Sequence, residues 1–418
     1  MKAFTKQIVK VVEKDDKELA SLIKGEIERQ ENTLNLIPSE NIAPLSLLSV
    51  VATPLMNKYS EGYPGKRYYP GNKEIDKIEL LAQKRAKKLF NLGNDWQVNV
   101  QPYSGSPANM AVYFGLIQSG DIVMGMNLAS GGHLTHGHKV NFSGKFYNSV
   151  QYGVNKITGL IDYEELEKLV QQHKPKLIIS GYTAYPREID FKRIGQIAKK
   201  YGAFHLADIS HIAGLVASGL HSNPFPWADV VMMTTHKTLR GPRGAVIFAR
   251  TDLMPLIDKA VFPGLQGGPH DNITAAKALT FYLDKKPGFK KYAKGILKNA
   301  KVLARELQKN GFTLLTGGTD NHLMLIDLNP IHLDGKTAEM LLENAGILAN
   351  RNSLPFDTKP FNPTGLRLGT PALTSRGLGE KEMKLIAYWF KEVLITKTEP
   401  ALINKEVKKL CRQFPLPY

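Results

Sequence analysis

Cysteine is nearly absent from this chain of 418 residues, which contains Cys411 alone. A single cysteine excludes an intrachain disulfide framework and any metal cluster held by several cysteines. The sequence has no apolar run of about 18 residues or more, so we expect no membrane span. The first residues also lack the apolar core of a signal peptide. Together these absences favour a cytoplasmic protein.

Acidic residues are scarce relative to basic ones. There are 38 Asp and Glu residues against 55 Lys and Arg residues, which gives a net charge of +17. Such a charge is compatible with nucleic-acid binding, with attraction of anionic substrates, or with a lysine-rich solvated surface. The lysines are scattered, and no RNA-recognition aromatic motif, KH-type loop or zinc finger accompanies them. We therefore favour the solvated surface and expect no specific nucleic-acid partner, while RNA binding stays open as a secondary role.

Apolar runs alternate with helical patterns through the middle of the chain. Strands are predicted at 98–103, 122–126, 177–182, 204–208, 230–235 and 245–249, and helices at 109–118, 163–172 and 191–201. Strands that alternate with helices predict an α/β fold with a mostly parallel sheet flanked by helices. The runs are continuously apolar, as expected for strands that are buried on both faces.

The pattern changes after about residue 290. A lysine-rich helix is predicted at 292–310, short strands at 312–315, 323–327 and 366–368, and further helices at 335–345 and 380–394. This order indicates a smaller α+β domain. We expect an N-terminal helical arm at 1–30, a large domain at 31–288 and a small C-terminal domain at 289–418.

The segment Tyr103-Ser104-Gly105-Ser106-Pro107 lies where a strand passes into a helix. Ser106 is predicted as the N-cap residue and Pro107 as the first helical residue. Backbone N–H groups and two hydroxyls would then face one point, which suits a phosphate group. Taken alone, the segment is more typical of an ordinary helix start than of a phosphate site.

Two ionisable residues stand at the carboxyl ends of predicted strands. Asp208 is the last residue of the run 204–208, and Lys237 comes just after the run 230–235. Partial desolvation at a strand end lowers the pKa of a lysine and makes its neutral amine available for a Schiff base. A carboxylate at the end of another strand can keep a pyridine nitrogen protonated. Each residue alone has an ordinary alternative, a solvated lysine or an N-cap aspartate. Together with the anion site they indicate a pyridoxal-phosphate pocket.

Three further segments carry unusual polar groups. The block 59–69 combines four tyrosines with a glutamate and two basic residues, which is typical of a surface loop, a subunit interface or a loop that completes a neighbouring subunit's site. The segment 127–138 contains three histidines, but its glycines and their spacing favour a loop over a ligand rather than a metal site. Arg367 lies in an apolar strand, where a buried guanidinium suits a carboxylate from the protein or from a substrate.

In this order the motifs closely resemble serine hydroxymethyltransferase, a family of fold type I pyridoxal-phosphate enzymes. The similarity extends from about Leu34 to about Leu394, and the length resembles that of bacterial dimeric members. The segments that carry it are 35–41, 59–69, 101–109, 127–136, 141–144, 208–215, 234–244, 262–269, 317–322 and 365–372. Asn35, Pro38 and the segment 357–363 depart from the pattern of the family.

The resemblance implies a role for individual residues. Lys237 corresponds to the Schiff-base lysine, Asp208 to the partner of the pyridine nitrogen, and His133 to the residue stacked on the cofactor ring. The implied catalytic residues are Lys237, Glu61, His133, Asp208, Tyr69 and Thr234. The implied cofactor contacts are Ser104, Gly105, Ser106, His133, Thr183, Asp208, His211, His236, Lys237, Tyr59, Gly267 and Gly268. The implied substrate contacts are Ser39, Tyr69 and Arg367 for the amino acid, and Leu128, Gly132, Leu134 and Asn352 for the pterin.

The reaction of the family moves the hydroxymethyl carbon of serine to tetrahydrofolate and yields glycine and methylenetetrahydrofolate. The resemblance therefore implies pyridoxal phosphate as cofactor, tetrahydrofolate as co-substrate and no metal. It also implies a homodimer with shared sites, in which the neighbouring subunit supplies Tyr59, Glu61, Tyr69, Gly267 and Gly268. A threonine aldolase, or another fold type I enzyme that uses no pterin, is the alternative; the block around Glu61 and the loop around His133 argue against it.

Overall fold

The computed structural model describes residues 3–358 and 362–418. Residues 359–361, which belong to the segment 357–363 that departs from the family pattern, lie outside the described residues. Within the two described ranges, no helix is both long and apolar enough to cross a membrane.

The described residues fall into two compact units. The first, termed the mixed unit, contains residues 3–45, 295–352 and 362–418, and the second, termed the sheet unit, contains residues 46–294 and 353–358. The boundary lies inside the helix Pro287–Lys309, and residues 3–45 group with the C-terminal residues. The mixed unit thus combines segments that are distant in sequence. The predicted domains, with boundaries at 30 and 288, were each one continuous stretch of the chain.

The described helices, in chain order, are α1 (Ala3–Asp15), α2 (Lys17–Asn32), α3 (Leu45–Val51), α4 (Lys73–Leu89), α5 (Gly105–Leu116), α6 (Phe142–Lys145), α7 (Tyr163–His173), α8 (Phe191–Tyr201), α9 (Ala213–Ala217), α10 (Met254–Lys259), α11 (Asp271–Asp284), α12 (Pro287–Lys309), α13 (Gly335–Asn344), α14 (Pro371–Arg376), α15 (Glu380–Leu394) and α16 (Pro400–Gln413). The described strands are β1 (Leu34–Asn35), β2 (Gly62–Tyr63), β3 (Lys66–Arg67), β4 (Trp96–Asn99), β5 (Ile122–Met126), β6 (Asn148–Tyr152), β7 (Leu177–Ser180), β8 (Phe204–Asp208), β9 (Val230–Thr234), β10 (Ala245–Arg250), β11 (Thr313–Leu314), β12 (Leu323–Asp327), β13 (Ile347–Leu348), β14 (Asn350–Asn352) and β15 (Gly365–Gly369).

A central sheet organises the sheet unit; in the described chain it has seven strands in the order β4-β10-β9-β8-β7-β5-β6. The strands β6, β5, β7, β8 and β9 pair in parallel, whereas β10 pairs antiparallel with both β9 and β4. The carboxyl ends of β4, β5, β7, β8 and β9 therefore face the same edge as the amino end of β10. Every residue of β7 and β9 is buried, as their continuously apolar sequences predict. The prediction of an α/β fold with a mostly parallel sheet flanked by helices is confirmed.

Several predicted elements have the bounds that the structure gives them: β5, β8, β12, α8 and α15. The strand predicted at 98–103 is instead β4, which ends at Asn99. The Gln101 N–H donates to Asn99 Oδ1 at 2.9 Å rather than to a neighbouring strand, and Pro102 has no N–H group to donate, so the strand does not continue to 103.

The start of α5 also differs from the prediction. The helix begins at Gly105 with Ser104 as its N-cap residue, so the prediction of Ser106 as N-cap is wrong. Pro107 is tolerated inside the first turn because the N–H groups of that turn have no acceptor within the helix. Ser104 is extended, with φ −161° and ψ −179°, and its side chain makes no capping hydrogen bond.

A second sheet lies in the mixed unit, with the antiparallel order β11-β12-β15-β14 among the described strands. Its apolar side chains share one core with residues of α12, α13, α15 and α16. Every residue of β15 is buried, so Arg367 occupies a core position of this sheet.

Arg376, the last residue of α14, links α2 and its following residues to the end of α16. The side chain is buried and donates to the carbonyl oxygens of Glu31 (2.5 Å), Thr33 (2.8 Å), Cys411 (3.1 Å), Gln30 (3.3 Å) and Phe414. One guanidinium therefore satisfies carbonyl groups of two chain segments that are far apart in sequence.

We expect Arg376→Leu to lower the free energy of unfolding by about 3 kcal/mol, because several carbonyl groups lose their donor at once. The urea midpoint, followed by circular dichroism, measures the change. Arg412→Leu is the matched control, since Arg412 is exposed on α16, and it should change stability by no more than about 0.5 kcal/mol. Equal midpoints for the two variants would contradict the linking role of Arg376.

Candidate active site

A cavity of about 160 Å³ lies at the carboxyl edge of the central sheet, within the sheet unit. Segments that follow β4, β5, β7, β8 and β9 contribute to its wall. It brings together ten of the residues predicted from sequence: Ser104, Gly105, Ser106, His133, Thr183, Asp208, His211, Thr234, His236 and Lys237. Because these residues come from separate segments, the fold itself assembles the predicted site.

Asp208 is the buried carboxylate of the cavity wall. Its Oδ2 accepts hydrogen bonds from Asn109 Nδ2 (3.0 Å) and His136 Nε2 (3.1 Å), and its Oδ1 accepts one from the Ser210 backbone N–H (3.0 Å). Burial alone would raise the pKa of Asp208, but the hydrogen bond and charge of His136 and the charge of Lys237 hold it below its usual value. The carboxylate is thus ionised at neutral pH and can keep a proton on a nitrogen base beside it.

His133 is joined to this carboxylate by a short chain of hydrogen bonds. Asn109 Nδ2 donates to Thr135 Oγ1 (2.8 Å) as well as to Asp208. The hydroxyl of Thr135 lies 2.7 Å from His133 Nδ1, and the Thr135 backbone N–H donates to the same nitrogen at 3.2 Å. With Nδ1 accepting, a neutral His133 ring carries its proton on Nε2.

The amino end of α5 forms an anion-binding surface, here termed the anion loop (Ser104–Ser106). First-turn N–H groups have no acceptor in the helix, and the helix dipole favours negative charge at this end. Gly105 is sterically required, since a Cβ atom there would lie 2.8 Å from Cγ2 of Thr234. Thr234 Oγ1 and His236 Nδ1 are buried without a hydrogen-bond partner within the described residues. The cavity wall therefore has polar atoms with which a bound molecule can pair.

Lys237 lies in a tight loop just after β9. The backbone N–H of Gly241 donates to the Thr235 carbonyl (2.7 Å), and that of Arg240 donates to the Lys237 carbonyl (3.1 Å). The Thr238 hydroxyl donates to one backbone carbonyl and accepts from one backbone N–H of the segment after β8. The backbone of Lys237 is thereby fixed between two hydrogen-bonded turns.

Five other predicted residues form a separate group, termed the hairpin patch: Tyr59, Glu61, Tyr69, Gly267 and Gly268. The rings of Tyr59 and Tyr69 meet edge to face at 5.1 Å. A Cβ atom on Gly267 would lie 3.2 Å from Glu61 Oε1 and 3.7 Å from Tyr59 Oη, and one on Gly268 would lie 3.4 Å from Tyr59 Cε1. None of the five residues is among those that line the cavity in the described part of the chain. Within one chain, the residues predicted for catalysis and cofactor binding that lie in the sheet unit thus divide into a cavity and a patch.

Arg67 holds the hairpin β2–β3 in place around Glu61. Its Nη1 donates to the two carbonyl oxygens on either side of Glu61, at 2.8 and 2.7 Å. Its other nitrogens pair with Asp76 (2.8 Å) and Glu79 (2.6 Å) of α4, and the Arg67 side chain is only 4% exposed. This buried pairing fixes the backbone that carries Glu61.

Arg367 and Ser39 belong to the mixed unit. Arg367 Nε donates to Asn350 Oδ1 at 3.1 Å, and burial lowers the pKa of Arg367 to about 10, so it stays charged at neutral pH. A Cβ atom on Gly369 would lie 2.8 Å from Cα of Pro38. The segment that carries Ser39 therefore packs against the end of β15.

The residues predicted to contact a pterin belong to both units. Asn352 ends β14 in the mixed unit, whereas Leu128, Gly132 and Leu134 lie after β5 in the sheet unit. The side chains of Leu128 and Leu134 are each 41% exposed. Gly132 is buried and donates its N–H to the Asn127 carbonyl at 2.9 Å.

Five residues line the cavity without having been predicted: Asn109, His136, Tyr182, Ser210 and Arg243. The signals for two of them were present, since His136 is one of three histidines in the segment 127–138 and Asn109 follows the anion loop. The contacts of Asn109 and His136 with Asp208 depend on how distant segments pack together, which the spacing of residues along the sequence does not reveal.

An amine, a buried carboxylate and an anion-binding helix end fit the aldehyde, the pyridine nitrogen and the phosphate of pyridoxal phosphate. With a mostly parallel sheet behind them, these groups define the class of fold type I pyridoxal-phosphate enzymes. The family model described as serine hydroxymethyltransferase matches residues 12–390, and the chain belongs to this family. The predictions of the family and of a pyridoxal-phosphate-dependent enzyme are confirmed.

We expect Gly105→Ala to weaken the binding of pyridoxal phosphate to the apoprotein roughly ten-fold, because the added methyl group collides with Thr234 and displaces the first turn of α5. Spectrophotometric titration of the apoprotein measures the affinity. Gly288→Ala is the matched control, since a Cβ atom there meets nothing within 4 Å. Unchanged affinity in Gly105→Ala would show that the anion loop is not the phosphate site.

Proposed function

We propose that this protein catalyses the reversible transfer of the hydroxymethyl carbon of serine to tetrahydrofolate, with glycine and methylenetetrahydrofolate as products. One observation carries the proposal: Lys237, Asp208 and the anion loop meet in one cavity, in a chain that matches the family model over residues 12–390. Bound pyridoxal phosphate would supply an electron sink for the electron pair left on the Cα atom of serine when the Cα–Cβ bond breaks.

The residues of the cavity hold and tune the cofactor in this proposal. Lys237 supplies the amine that attaches the cofactor, and the anion loop binds its phosphate. Asp208 keeps a proton on the pyridine nitrogen, a role supported by its lowered pKa and its three hydrogen-bond donors. His133 covers one face of the ring, and Thr183 and His211 lie in the wall of the same cavity.

Arg367 binds the carboxylate of the amino-acid substrate in this proposal, together with Ser39. The planar guanidinium can pair with both carboxylate oxygens, which orients the bond that breaks. Its burial supports this role, because a buried cation gains most from an anionic partner.

The hairpin patch acts in trans, in a homodimer whose subunits share their active sites. Glu61 moves a proton between the serine hydroxyl and the folate, and Tyr59 and Tyr69 accompany it. Two observations support this arrangement: among the described residues the patch does not line the cavity of its own chain, and Arg67 holds the backbone on both sides of Glu61.

The pterin contacts are Leu128, Gly132, Leu134 and Asn352 in this proposal. Leu128 and Leu134 offer exposed apolar surface, which a flat pterin ring can cover. A pyridoxal-phosphate aldolase that uses no pterin would need no such contacts, so the experiments below compare the reactions with and without tetrahydrofolate.

We expect purified protein with pyridoxal phosphate to show a visible absorbance band that Lys237→Ala abolishes, because the covalent attachment of the cofactor needs that amine. Addition of glycine together with tetrahydrofolate should produce a further, red-shifted band. If glycine alone gives the same band, or if tetrahydrofolate has no effect, the chain is an aldolase-type enzyme rather than a folate-dependent transferase.

We expect Glu61→Gln to reduce serine–tetrahydrofolate activity strongly and to spare the cleavage of allo-threonine, because only the first reaction needs the proton transfer. Glu74→Gln is the matched control, since Glu74 is an exposed carboxylate on the neighbouring helix α4. Equal loss of both activities in Glu61→Gln would remove Glu61 from this role.

The variant Glu61→Gln also tests whether the two subunits of a dimer share their active sites. Dimers formed by mixing Lys237→Ala and Glu61→Gln subunits should regain about one quarter of the wild-type activity, since half of the dimers then contain one intact site of two. No recovery after mixing would mean that each chain uses its own Glu61.

A further inference from the structure

Lys277 of α11 is a lysine that is buried away from solvent, with 1% of its surface exposed. Its Nζ donates to the backbone carbonyls of Val100 (2.6 Å), Ala245 (2.9 Å) and Pro102 (3.1 Å). Three acceptors match the three N–H groups of an ammonium, whereas a neutral amine would turn its lone pair towards one of them.

The three carbonyls belong to two segments that lead into the cavity. Val100 and Pro102 follow β4 and immediately precede the anion loop, while Ala245 begins β10 after the loop that carries Lys237. The two segments also pair directly, since the Ala245 N–H donates to the Pro102 carbonyl at 3.3 Å. Lys277 thus ties the two segments together just below the cavity loops.

Gly244 shows how closely Lys277 passes the loop that carries Lys237. A Cβ atom on Gly244 would lie 2.5 Å from Cε of Lys277 and 3.2 Å from its Nζ. The carbonyl of Gly244 accepts the Thr235 N–H at 3.0 Å and so closes the loop of Lys237. The stem of Lys277 therefore packs directly against the residue at which this loop ends.

Burial of this amine has a cost. Burial lowers the pKa of Lys277 to about 7, with the charge of Glu79 opposing the shift. An apolar side chain of similar length would avoid the desolvation but would leave the three carbonyls without this donor. We therefore explain the buried amine by the role of its acceptors, whose segments hold the anion loop and the loop of Lys237 in place.

We propose that Lys277 is a positioning residue that fixes the anion loop relative to Lys237, so that one bound cofactor can reach both its phosphate site and its amine. This inference rests on the proposed function of the cavity and adds a residue that touches neither the cofactor nor the substrate. We expect its effect to fall mainly on the phosphate group, because two of its three acceptors lie in the segment that leads to the anion loop.

The test compares pyridoxal phosphate with pyridoxal, which lacks the phosphate group, on full-length apoprotein. We expect Lys277→Met to weaken the binding of pyridoxal phosphate roughly ten-fold more than that of pyridoxal, because the anion loop loses its support while the amine of Lys237 remains. Lys277→Gln keeps an amide donor and should give a smaller change in the same ratio. Spectrophotometric titration measures both dissociation constants.

Lys285→Met is the matched control, since Lys285 directly follows α11, is exposed, and its side chain donates an exposed hydrogen bond to Asn91 (2.9 Å). A Lys277 variant that weakens both ligands equally, or neither, overturns the proposal. If Lys277→Met does not fold, the ratio measured for Lys277→Gln decides. If wild-type protein fails to bind pyridoxal phosphate, the proposed function itself fails, and the two failures are thereby distinguished.

Discussion

The buried negative charge of Asp208 is the constraint around which the cavity is built. A carboxylate removed from water is costly unless hydrogen bonds compensate it, and here the donors come from α5, from the segment after β5 and from the turn after β8. Compensating one charge therefore fixes the positions of three segments. The same contacts hold the carboxylate ionised, so the packing of the fold and the electrostatics of the site have a common origin.

The secondary structure of the central sheet was largely predictable, because strands buried on both faces have continuously apolar sequences. β5 and β8 have the predicted bounds, and the parallel arrangement follows from the alternation with helices. The reversed direction of β10 was not predictable, since an apolar run is the same in either direction. The grouping of residues 3–45 with the C-terminal segments was also hidden, because it depends on contacts between distant parts of the chain.

The residues of the cavity were predictable where they belong to a sequence motif. They were not predictable where their role depends on a contact between distant parts of the chain. Lys237, Asp208 and the anion loop stand at strand ends and at a helix start, positions that sequence patterns mark. His136 contacts Asp208 only because the segment after β5 meets the end of β8. Ser104 rather than Ser106 occupies the N-cap position of α5, which the sequence left open because proline is tolerated at any position of a first turn. Lys277 gave no signal, since one lysine in a lysine-rich chain is indistinguishable from a solvated one.

The close approach of Lys277 to Gly244 has a consequence for how this chain can change over time. A side chain at position 244 would occupy the space through which the lysine stem passes. A larger residue at 244 would therefore push the lysine away from its three carbonyls, unless residue 277 were shorter and the carbonyls had another donor. The effects of substitutions at the two positions are therefore expected to be non-additive, although one lies in a loop, the other in α11, and they are 33 positions apart.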